Sequence, residues 1–183
     1  MAPPPQLTDE QRAAALAKAA EVRTARAVVK ARIKNHSISL NDVLASDDPN
    51  VVGIKVLSIL ESVPKVGKVK ARRAMDEIGI AHNRRIQGLG SRQRALLIEA
   101  MKRIAQAAVL AGIKSGSMSL NDVLSSDDRN VVGIKVLSIL ESLPKVGKVK
   151  ARRAMDEIGI AHNRRIQGLG TQQRDALLRE FGV

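Results

Sequence analysis

Residues 37–90 and 117–170 align without a gap at an offset of 80 and differ at only four positions: Ile38/Met118, Ala45/Ser125, Pro49/Arg129 and Val63/Leu143. A duplication this close constrains the fold before anything else, because whatever the first copy builds the second must build from the same local rules. The similarity continues more weakly on both sides, as in Ile33-Lys34 against Ile113-Lys114. SRQRALLIEA (91–100) resembles the terminal TQQRDALLRE (171–180), then runs on into MKRIAQAAVLAGIK, the counterpart of the first long helix. One helix therefore ends the first copy and begins the second. The prediction is an all-α chain of two near-identical units joined by a shared long helix. The first unit covers 1–90, a long N-terminal helix plus the module 37–90. The second covers 91–183, with a linking helix 91–114, the module 117–170 and a terminal helix 171–183. Near-identity at this level marks a recent duplication or a designed fusion.

Composition narrows what such a chain does. With 183 residues and 44% hydrophobic content it can bury a core, so wholesale disorder is not expected. Cys is absent, which excludes disulfides, thiolate nucleophiles and Cys-ligated zinc. Trp and Tyr are absent and Phe181 is the sole aromatic, so single-stranded bases have almost nothing to stack on. No run of eighteen apolar residues and no apolar secretory segment occur, which predicts a cytoplasmic protein without a membrane partner. Lys plus Arg total 31 against 18 Asp plus Glu, a net charge of +13. Charge of that sign and size points to an anionic polymer, whose condensed counterions Lys and Arg displace.

Local signals read as helix throughout. Thr8 with Gln11 forms a capping box ahead of an Ala-rich stretch ending near Lys34. Ser39 caps a short helix over Leu40–Ala45, and Asp48 caps another with Pro49 at its first position. VVGIKVLSILES (51–62) is rich in β-branched residues, but Ile54, Leu57 and Leu60 fall at helical spacing, so a buried helix is expected. A further helix spans Gly67 to Ile78, with Gly79 as its left-handed stop.

The charge is concentrated. Pro64–Gly90 carries Lys65, Lys68, Lys70, Arg72, Arg73, Arg84 and Arg85 against only Asp76 and Glu77, about +5, and the second copy repeats this. A Pro-Lys-Val-Gly-Lys turn leads straight into a helix, so free amides and the positive dipole end face outward together. Gly67 permits close approach of a phosphate, with Lys65, Lys68 and Lys70 around it. Ala71, Ala74, Met75 and Ile78 share an inward face, which sends Arg72 and Arg73 outward. Arg84 and Arg85 lie in the next turn, anchored by Ile86 and Leu89. The second set is Lys145, Gly147, Lys148, Lys150, Arg152, Arg153, Arg164 and Arg165.

Each assignment has a plainer competitor. Arg72 with Asp76 and Arg73 with Glu77 are four apart and can simply pair on a solvated face. Arg84 and Arg85 have no acidic neighbour within four residues. His82 and His162 are single histidines beside the double-Arg turn, which favours a turn role over a metal site; no cofactor is expected. The N-terminal helix, with Arg12, Lys18, Arg23, Arg26, Lys30, Arg32 and Lys34, is either a second DNA-facing surface or an ordinary solvated face.

LPKVGKVKA (143–151) resembles the helix–hairpin–helix motif. The longer span, through RRIQGLG and the helix after it, resembles a helix–two-turns–helix module, most closely that of the actinobacterial integration host factor family. The fold implied is two helix–two-turns–helix units. The resemblance implies a nucleoid-associated, non-catalytic, monomeric protein that binds and bends double-stranded DNA with little sequence preference, and a role beside a site-specific recombinase. The hairpin lysines and the two double-Arg pairs match that family's contact positions. Helix–hairpin–helix glycosylases place a catalytic Lys where Val69 and Val149 stand, which argues against an enzyme. The remaining alternatives are a structured-RNA-binding module of ribosomal type and a designed tandem scaffold without a recognition role.

Overall fold

The computed structural model describes residues 8–182; residues 1–7 and Val183 lie outside it. The described residues are helical throughout and contain no strand, only two isolated β-bridges. The chain divides into two compact units, the first ending at Ile98 and the second beginning at Glu99. None of its helices is long and apolar enough to cross a membrane.

Unit one opens with α1, Asp9–Lys34. The Gln11 N–H donates to Thr8 Oγ1 at 3.2 Å and the Thr8 N–H donates to Gln11 Oε1 at 3.0 Å, the reciprocal box the sequence predicts. Ile33 is the only fully buried residue of this helix, so Ala-rich propensity carries most of its length. Helix α2, Leu40–Leu44, is boxed by Ser39 and Asp42 in the same way. Helix α3, Pro49–Val52, starts where the Asn50 N–H donates to Asp48 Oδ1 at 2.8 Å.

The predicted helix over 51–62 is two pieces. After α3 the chain is extended through Lys55 and re-enters helix only at α4, Val56–Leu60. The cause is pairing with a distant segment: the Val56 N–H donates to Arg84 O at 2.9 Å and the Ile86 N–H to Ile54 O at 3.1 Å. That is an antiparallel bridge between Lys55 and Arg85. Two β-branched residues followed by Gly53 give the helix little to lose at this point.

Helix α5, Gly67–Ile78, buries Ala71, Ala74 and Met75, with Ile78 half-buried. Gly79 (φ 74°) stops it, and the Ile80 N–H then reaches Met75 O at 2.8 Å. A single 3₁₀ turn, Ile86–Gly88, precedes α6, Ser91–Lys114, one unbroken helix within which the division between units falls.

Unit two repeats the plan with α7 (Leu120–Leu124), α8 (Arg129–Val132), α9 (Val136–Ser142), α10 (Lys148–Ile158), a 3₁₀ turn at Ile166–Gly168 and α11 (Thr171–Phe181). Arg129 replaces Pro49 without cost to the cap, since the Asn130 N–H still donates to Asp128 Oδ1 at 2.8 Å. The α7 capping box holds the Asp122 carboxyl below its ordinary pKa through hydrogen bonds from the Ser119 side chain and backbone. Because the folded pKa is depressed, this contribution is complete above the ordinary carboxylate range and fades as pH falls through the folded value. Val123, Ile139, Leu140, Ala151, Met155, Ile166 and Leu177 form the fully buried centre.

One side chain per unit gathers these pieces. Arg94 donates through Nη1 to Leu44 O, through Nη2 to Ile86 O at 3.3 Å and through Nε to Leu89 O at 3.3 Å. Arg174 repeats all three bonds, to Leu124 O, to Ile166 O at 3.3 Å and to Leu169 O at 3.5 Å. Arg94→Ala and Arg174→Ala are each expected to lower unfolding free energy by about 2–3 kcal/mol, since carbonyls lose a charged donor. Urea titration followed by far-ultraviolet circular dichroism checks this; Arg→Lys should recover only part, a lone ammonium lacking the fork.

Candidate nucleic-acid interface

In unit one the turn between α4 and α5 is pinned by Val66, which is 3% exposed, leaving Lys65, Gly67, Lys68 and Lys70 on the surface. Lys65 takes a left-handed backbone (φ 65°) and Lys145 does the same in unit two (φ 63°). Non-glycine residues rarely adopt that region, and its recurrence in both copies marks a turn fixed by its surroundings. Helices α1, α2, α3, α7 and α8 begin with a side-chain cap; α5 and α10 begin with none and have no acid in the first turn. Their leading amides and dipole ends are therefore uncompensated by side chains. No atom lies within 4 Å of where a Cβ would stand on Gly67 or Gly147, so the approach is open. The copies differ slightly: Gly67 is the first helical residue, whereas Gly147 is extended (φ −85°) and α10 starts one residue later.

Along α5 the two predicted arginines part company. Arg73 pairs with Glu77 at 3.0 Å and Arg153 with Glu157 at 2.8 Å, both on exposed faces. The Glu157 hydrogen bond and charge hold the Arg153 guanidinium above its ordinary pKa. Arg72 does not pair with Asp76, whose carboxylate is 2.9 Å from His82 Nε2 instead. His162 and Asp156 repeat that contact at 2.9 Å, which gives both histidines a role tying the second turn back to the helix. Among the described residues no group of three or more His, Asp or Glu is placed to hold a metal ion.

The second turn lies at the other end of α5, about 16 Å from the hairpin at 1.5 Å per residue. Ile86 and Leu89 are buried, as the sequence predicts. Arg84 lays its stem across Gly88, where an added Cβ would come within 2.8 Å of Arg84 Cδ; Gly168 and Arg164 repeat this. Arg85 is different. Its Nη1 donates to Gly53 O and that of Arg165 to Gly133 O, so one arm of each guanidinium serves the fold. In unit two Asn163, Arg164, Arg165 and Gln167 line an open cleft of about 380 Å³.

Sequence reasoning missed the structural work of several polar residues. Arg94 and Arg174 were visible only as a repeated Arg in RQR and QQR. Arg26 Nε donates to Asn50 O at 3.2 Å, and Gln106 Nε2 gives the same bond to Asn130 O at 3.3 Å. The signal was there in a donor kept at both positions through a change of charge.

An S13-like H2TH domain model matches residues 33–101 and again 113–181. The integration host factor of Mycobacterium tuberculosis is 55% identical over 97 residues, covering 52% of this chain and 92% of that protein. That of Streptomyces coelicolor is 52% identical over 99 residues, covering 53% and 92%. The chain belongs to the integration host factor family of S13-like H2TH domain proteins. A solved chain described as sIHF bound to an 8-base-pair palindromic DNA is 42% identical, with a TM-score of 0.44, covering 46% of this chain and 97% of its own. The two H2TH matches each take in one hairpin, one double-Arg turn and one of the clasping arginines, so every feature above belongs to the matched domain.

The division of labour between neighbouring arginines is testable. Arg85→Ala should cost about 1–2 kcal/mol of stability because Gly53 O loses a charged donor. Arg84→Ala should stay within about 0.5 kcal/mol, as surface substitutions usually do. Urea midpoints of the two variants decide it.

Proposed function

We propose that this integration host factor-like chain is a non-catalytic architectural protein of double-stranded DNA. It contacts phosphates through two basic modules, bends or bridges DNA with little sequence preference, and works as a monomer in the nucleoid beside a site-specific recombinase. The observation that carries the reading is the pair of bare helix starts at α5 and α10. In each, uncapped amides, an open glycine and three surface lysines converge with no acid in the first turn. A phosphate supplies what such a helix start lacks. Lys65, Lys68, Lys70 and Arg72, with Lys145, Lys148, Lys150 and Arg152, are the contacts proposed at the hairpins. Arg84 and Arg164 extend the contact at the second turns, with Arg85 and Arg165 adding their remaining donors. Arg73 and Arg153 contribute less, being held by glutamates. Backbone contacts of this kind read charge and shape and carry no base code.

Two modules in one chain raise each other's effective concentration on DNA once either is bound. Binding of a labelled duplex at rising salt, compared with double-stranded RNA of equal length, tests the reading. The full chain should show a log–log salt slope about twice that of a variant with Lys148, Lys150 and Arg152 replaced by Ala. Equal slopes would show that only one module engages. Preference for the RNA would replace the DNA reading with the ribosomal-type one.

A further inference from the structure

Unit one has a cleft of about 480 Å³ between the last turns of α1 and the hairpin, lined by Lys30, Lys34, Glu61, Pro64, Lys65 and Gly67 among others. Lys30 is half-buried there and makes no hydrogen bond or ion pair within the described residues. Holding an ammonium partly out of water without a partner is unfavourable, so the position needs a reason. The ordinary one is that cations in a last turn compensate the helix dipole. The chain contains its own control against it. The residue 80 positions on from Lys30 is Leu110, on a helix that ends correspondingly at Lys114. Leu110 packs against the core of unit two. The helix thus terminates without a cation at that position, and the fold accepts an apolar residue there.

We propose that this cleft is a further phosphate subsite, which seats a DNA backbone phosphate next to the one at the α5 start and which unit two lacks in this form. The inference rests on the duplex-binding reading above. Three ammonium groups line the cleft against one carboxylate, Glu61, and Gly67 belongs both to the cleft and to the bare helix start. A strand held at the hairpin amides therefore continues onto Lys30 and Lys34 without crossing uncharged surface. The counterpart positions in unit two supply Lys114 and Lys145 against Glu141, one cation fewer. The two modules, nearly identical over 37–90 and 117–170, are thereby unequal in footprint, and the difference comes from outside the duplicated block.

The test uses the full chain and a labelled duplex several helical turns long, with binding measured across a salt series. Lys30→Leu, the residue found in the sister unit, should lower the log–log slope by about 0.9, the loss of one phosphate contact, and leave the thermal melt unchanged. Lys30→Gln should do the same, which separates charge from packing. Lys68→Ala, at the hairpin proper, is the reference for a lost contact. If the wild type binds duplex with a normal slope and Lys68→Ala reduces it while both Lys30 variants leave it unchanged, the subsite is overturned and the duplex reading stands. If the wild type shows no salt-dependent duplex binding, the duplex reading itself falls and the subsite with it.

Discussion

Each unit depends on one guanidinium placed among three backbone carbonyls. Short helices of four or five residues cannot hold themselves in register, because nucleation takes more order than a single turn returns. Here α2, the second turn and the segment after it all end in carbonyls that would face one another unsatisfied. Arg94 supplies donors to all three, and Arg174 does so in unit two. Arginine suits the task because its donors are fixed in a plane and it stays charged at any physiological pH. The surface that carries the proposed DNA contacts is built on this clasp, since the double-Arg turn is one of the segments it holds.

A second constraint follows from how helix starts are finished. Where a side-chain oxygen caps the start, as at Thr8, Ser39 and Asp48, the amides are used up internally. Where none does, the amides remain available to an outside anion. The chain uses both solutions within a few dozen residues, and the choice between them separates the helices that only build the fold from the two that face outward at the hairpins.

Much of this was legible in the sequence. Caps at Thr8, Ser39 and Asp48, the left-handed stop at Gly79 and the inward face of Ala71, Ala74 and Met75 all follow from local rules. The break in 51–62 was not, because its cause is a bridge to Arg85 some thirty residues away, and helical spacing cannot report a partner strand one residue wide. Arg85 illustrates the same limit at the site. A double-Arg turn with no nearby acid looks wholly solvent-directed, yet a distant carbonyl at Gly53 takes one arm of the second arginine. The pairing of Asp76 with His82 rather than Arg72 likewise depends on where the chain returns after Gly79.

The clasp has a consequence for how the chain reaches its native state. Arg94 and Arg174 make the same bonds to equivalent carbonyls, so either arginine fits either module. Residue identity therefore does not bar module one from capturing the terminal helix in place of its own. The native clasp closes over 50 residues and the exchanged one, Leu44 to Arg174, over 130. Loop-closure entropy separates these by under about 1 kcal/mol. Synthesis order supplies the rest of the discrimination. The first module emerges and closes on Arg94 before Arg174 has been made, so vectorial folding on the ribosome protects a topology that refolding from denaturant does not.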